Sequence, residues 1–187
     1  MKTSYTLNVA GLERELQLCP LNNDLNIAAF VMFGDVELTS TCAKKLLELA
    51  PEHDIIITSE SKGIPLAFEM AKQTGNNNYI VARKSKKLYM SNIFSCEVYS
   101  ITTAQKQTLY LDGKDAEVIR EKRILIVDDV ISTGESLKAL EKLVTDAGGT
   151  IVGKMAVLAE GDAKNRDDIS FLAPLPLFDK KGNVLEV

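Results

Sequence analysis

The feature that most constrains the fold is an apolar stretch that ends in two adjacent carboxylates. Residues 124–127 (Ile-Leu-Ile-Val) are the strongest strand signal in the chain and run directly into Asp128 and Asp129. A loop of small hydroxyl residues and glycine follows, and then a segment with helical periodicity over about 135–147. A buried strand, a short polar loop and a helix in this order are typical of α/β proteins.

Further apolar runs predict the other strands of such a sheet. Three of them are short and continuous, as in strands that are buried on both faces: residues 54–58, 79–82 and 151–158. Helical patterns lie between them, and the first ends at Pro51. Because strands alternate with helices, the sequence predicts an α/β fold with a mainly parallel sheet flanked by helices.

Two segments outside this pattern predict antiparallel pairing. Apolar residues alternate with polar ones on both sides of Ala10-Gly11, so residues 3–19 are predicted to form a β-hairpin. Residues 98–102 and 108–111 are predicted to form a second hairpin. The expected organisation is an N-terminal hairpin or hood, an α/β core and a C-terminal tail, with these bounds: 1–35, 36–165 and 166–187.

Charge and composition restrict the possible partners. The chain has 187 residues and a net charge of −4, so we expect neither nucleic acid nor a membrane as partner, and any anion site must be local. The three cysteines form no CxxC pair, and the single histidine, His53, has no ligand spacing around it. We therefore expect a cytoplasmic protein with reduced thiols and without a structural metal site.

The segment after the acidic pair has the chemistry of a phosphate site. Ser132, Thr133, Gly134 and Ser136 would direct backbone N–H groups and hydroxyls into one concavity, at the start of a helix. Ionised carboxylates accept hydrogen bonds, so the acidic pair suits a ligand with neighbouring hydroxyls. An acidic pair alone would more often cap the following helix. In this setting, strand, acids and loop together predict a sugar phosphate site.

This segment resembles the signature of the type I phosphoribosyltransferase family, which binds phosphoribosyl pyrophosphate (PRPP). The resemblance implies that Asp128 and Asp129 hold the ribose hydroxyls and that Val130 lies against the base. It further implies that the 5′-phosphate is bound by the following residues: Ser132, Thr133, Gly134, Glu135 and Ser136.

Two other segments resemble parts of the same family. The turn at 58–65 is similar to its pyrophosphate loop, which often carries a cis peptide, here expected near Ser61-Lys62. The alternative is an ordinary strand-to-helix turn. The basic residues after the strand at 79–82 lie where the family contacts pyrophosphate, although such a run is usually a solvated surface. Pyrophosphate would thus be bound by Ser61, Lys62, Gly63, Arg83, Lys84 and Lys87, and Lys62 would join the two aspartates as a catalytic residue.

The base is the least determined part of the resemblance. Residues 82–84, 87–88 and 98–100 are most similar to the adenine and xanthine enzymes. In the xanthine enzymes an asparagine reads the base, and Asn22 or Asn23 could do so here, although Asn-Asn-Asp is equally good turn chemistry. The xanthine enzymes also have a lysine where this chain has Gly161.

The resemblance therefore predicts a purine salvage enzyme that transfers phosphoribosyl from PRPP to adenine or xanthine, with Mg²⁺, as a homodimer. Positive charge develops on the ribose as pyrophosphate leaves, and cations would stabilise the leaving group. No general base is identified, since Glu97 is better explained as a solvent-facing strand residue. The alternatives are a PRPP-sensing protein without catalysis and an enzyme acting on orotate or hypoxanthine.

Overall fold

The computed structural model describes residues 2–99 and 106–185. It contains a central parallel sheet, an antiparallel hood sheet and a separate hairpin. In chain order the elements are β1 Ser4–Val9, β2 Leu12–Pro20, β3 Leu25–Ala28, α1 Val36–Leu47, β4 Ile55–Ser59, α2 Ile64–Gln73, β5 Ile80–Ala82, β6 Phe94–Tyr99, β7 Lys106–Leu111, α3 Gly113–Ile119, β8 Arg123–Ile131, α4 Glu135–Asp146, β9 Thr150–Glu160, the 3₁₀ helix η1 Gly161–Asn165, β10 Ser170–Leu175 and β11 Phe178–Asp179.

The central sheet has five parallel strands in the order β10-β9-β8-β4-β5, and helices cover both faces. Side chains alternate between the faces, as the strand geometry requires. On β8, Leu125 packs in the hydrophobic cluster that includes α1 and α2, whereas Ile124 and Ile126 pack in the cluster that includes α3 and α4. The predicted α/β fold is confirmed, and the continuous apolar run at 124–127 reflects burial on both faces.

The N-terminal hairpin predicted at 3–19 is confirmed as β1 and β2, which turn at Ala10-Gly11. These strands belong to an antiparallel sheet with the order β1-β2-β3-β11. Its last strand comes from the C-terminal segment and pairs Phe178 with Asn26. The segment 166–187, expected as a tail, thus supplies β10 to the central sheet and β11 to the hood.

The second predicted hairpin is present but begins earlier than expected. Strands β6 and β7 pair antiparallel from Phe94↔Leu111 to Tyr99↔Lys106. Phe94 and Cys96 alternate toward the cluster that contains α4, and this packing fixes the register. The part of the expectation that falls on 100–102 lies outside the described residues. Among the residues that the structure describes, no helix combines the length and apolar character needed to cross a membrane.

Candidate active site at the carboxyl edge of the parallel sheet

Strands β4 and β8 are neighbours, and their carboxyl ends meet at one edge of the sheet. Ile57 pairs with Ile126, so the turn that follows β4 lies beside the acidic pair near the end of β8. Open α/β sheets bind ligands at this edge. The residues that line the cleft are Ser59, Glu60, Ser61, Lys62, Lys84, Asp128, Asp129, Val130 and Ser136.

The acidic pair lies at the floor of the cleft. Asp129 is buried, with 4% of its surface exposed, and Asp128 is half-buried. Lys62 Nζ lies 3.0 Å from Asp129 Oδ2 and donates to the carbonyl oxygen of Phe30 at 3.3 Å. The same lysine therefore links the acidic pair, the turn after β4 and the segment that leads from the hood into α1.

Burial raises the pKa of Asp128 well above its usual value, and the negative charge of Asp129 raises it further. The backbone N–H of Asp129 donates to Asp128 Oδ1 at 3.0 Å, which opposes the rise. Two carboxyl groups at adjacent positions cannot both ionise without cost in a partly dry site. A ligand that donates hydroxyl hydrogen bonds would stabilise the ionised form of both groups.

The turn between β4 and α2 packs tightly against the acidic pair. Its cis peptide joins Glu60 to Ser61, one bond before the position expected from the sequence. A Cβ at Gly63 would collide with Thr58 Oγ1 and would lie 2.9 Å from Asp128 Oδ1. Glycine at 63 therefore allows the backbone of the turn to lie directly against β8.

The basic segment after β5 is attached to the same turn through Glu60. Arg83 Nη2 lies 3.1 Å from Glu60 Oε1, and the backbone N–H of Lys84 donates to Glu60 Oε2 at 2.9 Å. Lys84 lines the cleft. Lys87 is oriented differently, since its Nζ donates to Ser85 Oγ at 2.7 Å and it does not line the cleft. The structure thus places Lys84 in the same cleft as Lys62, whereas Lys87 is half-buried near Glu60 and outside the cleft.

The loop between β8 and α4 forms the second wall of the site. Gly134 has a φ of +78°, a left-handed conformation that glycine adopts without steric cost, and it precedes the first residue of α4. Ser132 and Thr133 are exposed, and Ser136 lines the cleft. The loop therefore presents hydroxyls and the N-terminus of a helix to one side of the acidic pair.

The two residues expected at the base lie in different places. Val130 lines the cleft on β8 beside Leu158 of β9. Asn22 lies in the turn between β2 and β3, where its Oδ1 accepts from the backbone N–H groups of Asp24 and Leu25 at 2.8 and 2.9 Å. This is the turn chemistry that the sequence offered as the alternative for Asn22.

Two further residues at this edge were not assigned a role from the sequence. Glu160 is the last residue of β9. Burial raises its pKa, the positive charge of Lys62 lowers it, and the negative charge of Asp129 raises it by a smaller amount. Because ligands bind at the carboxyl ends of parallel strands, the end of the predicted strand at 151–158 already pointed to Glu160 in the sequence. Arg166 follows η1 and contacts Gly134 of the loop. No periodicity or motif in the sequence marks Arg166.

The model of the Phosphoribosyl transferase domain family matches residues 37–174, which include both walls of the cleft. The chain belongs to the phosphoribosyltransferase family. This confirms the resemblance read from the acidic pair and its loop, and it makes the protein a phosphoribosyltransferase.

Individual relatives are named for different purines. A "Hypoxanthine/guanine phosphoribosyltransferase" of Methanothermococcus okinawensis is 32% identical over 161 residues, covering 82% of this chain and 84% of the relative. A "Xanthine phosphoribosyltransferase" of Brevibacillus brevis is 30% identical over 135 residues, covering 71% of this chain and 67% of the relative.

Solved structures agree on the fold of this phosphoribosyltransferase. An adenine phosphoribosyltransferase from Thermoanaerobacter pseudethanolicus superimposes with a TM-score of 0.68 at 22% identity, covering 85% of this chain and 95% of that one. The Saccharomyces cerevisiae adenine phosphoribosyltransferase superimposes with a TM-score of 0.66 at 21% identity, covering 84% of this chain and 92% of that one. At this identity the likeness concerns the fold.

Proposed function

We propose that this phosphoribosyltransferase transfers the phosphoribosyl group of PRPP to a purine base and releases pyrophosphate. The observation that carries the proposal is the single cleft in which the acidic pair faces Lys62 on one wall and the loop before α4 on the other. A sugar with phosphate groups at both ends needs hydroxyl acceptors in the middle and anion sites on either side.

In this proposal Asp128 and Asp129 accept hydrogen bonds from the two ribose hydroxyls. Burial and the neighbouring charge of Asp129 raise the pKa of Asp128, and hydrogen bonds from ribose hydroxyls would stabilise its ionised form. They also hold negative charge near the ribose ring, where positive charge develops in the transition state. The same two groups thus bind the substrate and favour the reaction.

The 5′-phosphate would be bound at the N-terminus of α4. The loop supplies backbone N–H groups, side-chain hydroxyls and the positive end of a 12-residue helix. The proposed contacts are Ser132, Thr133, Gly134, Glu135 through its backbone, and Ser136. This wall would fix one end of PRPP while the other end reacts.

Pyrophosphate would be bound at the opposite wall. Ser61, Lys62 and Gly63 would contact it, and Lys62 would exchange part of its interaction with Asp129 for the leaving oxygens. Lys84 lies in the same cleft, whereas Arg83 is engaged with Glu60 and Lys87 with Ser85, so both would have to turn toward the ligand.

Mg²⁺ would arrive with PRPP. Carboxylates, hydroxyls and phosphates are the hard oxygen ligands that Mg²⁺ prefers, and Asp128 and Asp129 place such oxygens beside the expected position of the ribose. When bound, the metal would neutralise charge on the departing pyrophosphate. No cluster of three or more metal-ligating side chains occurs among residues 2–99 and 106–185.

For the base, Val130 is proposed as the apolar contact, because it lines the cleft next to the acidic pair. Asn22 would contact the base only if its turn were rearranged, since its side-chain oxygen caps that turn. The sequence favoured adenine or xanthine. The relatives named for hypoxanthine, guanine and xanthine all act on 6-oxopurines by name, and we therefore place xanthine, hypoxanthine and guanine before adenine.

The proposed assembly and location follow the family and the thiol chemistry. We expect a homodimer, as for other phosphoribosyltransferases. The three cysteines are free, which fits a reducing cytoplasm.

The testing experiment is a turnover assay with a panel of bases. Purified protein, Mg²⁺ and PRPP are mixed separately with adenine, xanthine, guanine, hypoxanthine, uracil and orotate, and nucleotide formation is measured by mass. We expect conversion of at least one 6-oxopurine. Conversion of orotate alone would reject the purine assignment, and saturable PRPP binding without any nucleotide would support a sensor instead.

A further inference from the structure

A guanidinium with no role in the proposed function lies against the loop that precedes α4. A Cβ placed on Gly134 would collide with Nη1 of Arg166, so this nitrogen is in contact with the loop backbone. Because Gly134 has no side chain, the loop and the guanidinium can approach each other this closely. The glycine thus serves two purposes, its left-handed backbone and this contact.

The guanidinium is held in place by a chain of ion pairs. Arg166 donates from Nε and Nη2 to the two carboxylate oxygens of Asp168, at 2.9 and 2.8 Å. Asp168 Oδ2 also accepts from Lys154 Nζ at 2.5 Å, and Lys154 donates to Glu141 of α4 at 2.7 Å. A two-point fork of this kind fixes the plane of the guanidinium.

One nitrogen of Arg166 remains available on the side of the loop. Nη1 has no hydrogen-bond acceptor within the part of the chain that the structure describes. A donor held in a fixed position beside a phosphate-binding loop is arranged for an anionic acceptor.

The loop itself has no cation with which to balance a phosphate dianion. Residues 132–136 contain no lysine or arginine, and Glu135 adds a negative charge that is paired with Lys138 at 3.6 Å. The helix N-terminus supplies only about half a positive charge. A cation from elsewhere in the fold would add to the binding of a phosphate at this wall, and the guanidinium of Arg166 lies against Gly134 of the loop.

We propose that Arg166 is a further binding residue for the 5′-phosphate of PRPP, oriented by Asp168 and Lys154. The inference rests on the proposed function, because it assumes that the loop before α4 holds this phosphate. It assigns the phosphate site to two segments, the loop after β8 and the segment after η1.

The test separates the two ends of PRPP. Arg166→Gln removes the charge and keeps a side chain of comparable length. Arg120→Gln is the matched control, because Arg120 is the exposed C-cap residue of α3 and its ion pair within the described part of the chain is with the nearby Glu117. Binding of ribose 5-phosphate and of inorganic pyrophosphate is measured separately by calorimetry. Steady-state rates are measured with PRPP as the varied substrate.

We expect Arg166→Gln to weaken ribose 5-phosphate binding and to raise KM for PRPP about tenfold, the usual loss for one charged hydrogen bond. Pyrophosphate binding and kcat should change less than about threefold, and Arg166→Lys should lie between wild type and Arg166→Gln. Unchanged ribose 5-phosphate binding, or equal losses for both ligands, would overturn the inference. A wild-type protein that binds neither ligand would instead reject the proposed function.

Discussion

Replacement of Gly63 by alanine tests whether the turn after β4 and the acidic pair are packed as one unit. The added Cβ would collide with Thr58 Oγ1 and would lie 2.9 Å from Asp128 Oδ1 and 3.4 Å from Asp128 Cα. Thr58 is fully buried, and the backbone of Asp128 is held in the parallel sheet. The two side-chain oxygens could move only by rotation within a packed site, and Asp128 Cα could move only together with β8.

The magnitude follows from this geometry. Overpacking of a rigid site costs about 1–3 kcal/mol, and two short neighbours attached to strands place Gly63→Ala near 2 kcal/mol. For a chain of this size, about 2 kcal/mol lowers the melting temperature by roughly 4–8 °C. Displacement of Asp128 should also reduce kcat/KM by at least about tenfold, since reacting groups tolerate little misplacement.

The assay combines thermal unfolding with steady-state kinetics at a temperature where both variants are folded. Gly153→Ala is the matched control, because its Cβ would also lie 2.9 Å from its nearest neighbours, Leu125 Cδ1 and Pro51 Cγ, on a different part of the sheet. It should lose stability and retain activity. The double variant Thr58→Ala/Gly63→Ala should recover about 1 kcal/mol relative to additive losses. Strict additivity, or full activity in Gly63→Ala, would refute the packing argument.

Three other predictions concern single groups. Burial raises the pKa of Asp128, so its ionisation opposes folding; Asp128→Asn should raise the melting temperature at pH 7, and the gain should disappear as the pH falls toward 3.8. The Arg14 guanidinium lowers the pKa of Asp35, so the ionised carboxylate stabilises the fold at neutral pH. Asp35→Asn should therefore be less stable than wild type at neutral pH, and this difference should vanish in acid. Asp35→Ala also loses the N-cap of α1, and urea titration should show a further loss of about 1 kcal/mol. Burial raises the pKa of Cys42 to about 12, so at pH 8 a thiol reagent should modify Cys19 and leave Cys42 unmodified until the protein is unfolded, as mapped by mass spectrometry.

The parts of the fold that follow local rules were predictable from the sequence. The apolar run at 124–127 is buried on both faces of the sheet, and this burial is why it gave the clearest strand signal. The acidic pair and the loop before α4 are contiguous, so their chemistry could be recognised without knowledge of the fold. The hairpin at 3–19 was marked by alternation and by its turn.

The remaining features depend on contacts between distant segments. Strand β11 pairs with β3, and Phe178 lies opposite Asn26, so this pairing joins the two ends of the chain and leaves no local pattern. Arg166 and Gly134 are far apart in the sequence and come into contact only in the folded chain. For Asn22 the local sequence was compatible with two roles, because asparagine suits both base recognition and a turn. In the fold its side chain accepts a hydrogen bond within the turn between β2 and β3.

A single comparison of rates tests whether the acidic pair binds the ribose of PRPP. Nucleotide formation from PRPP and the preferred purine is measured for wild type and for Asp128→Asn/Asp129→Asn, with folding of both checked by circular dichroism. We expect turnover by wild type and a loss of about 10³-fold in the folded double variant. Activity within tenfold of wild type in that variant would contradict the assignment of the two carboxylates to the ribose.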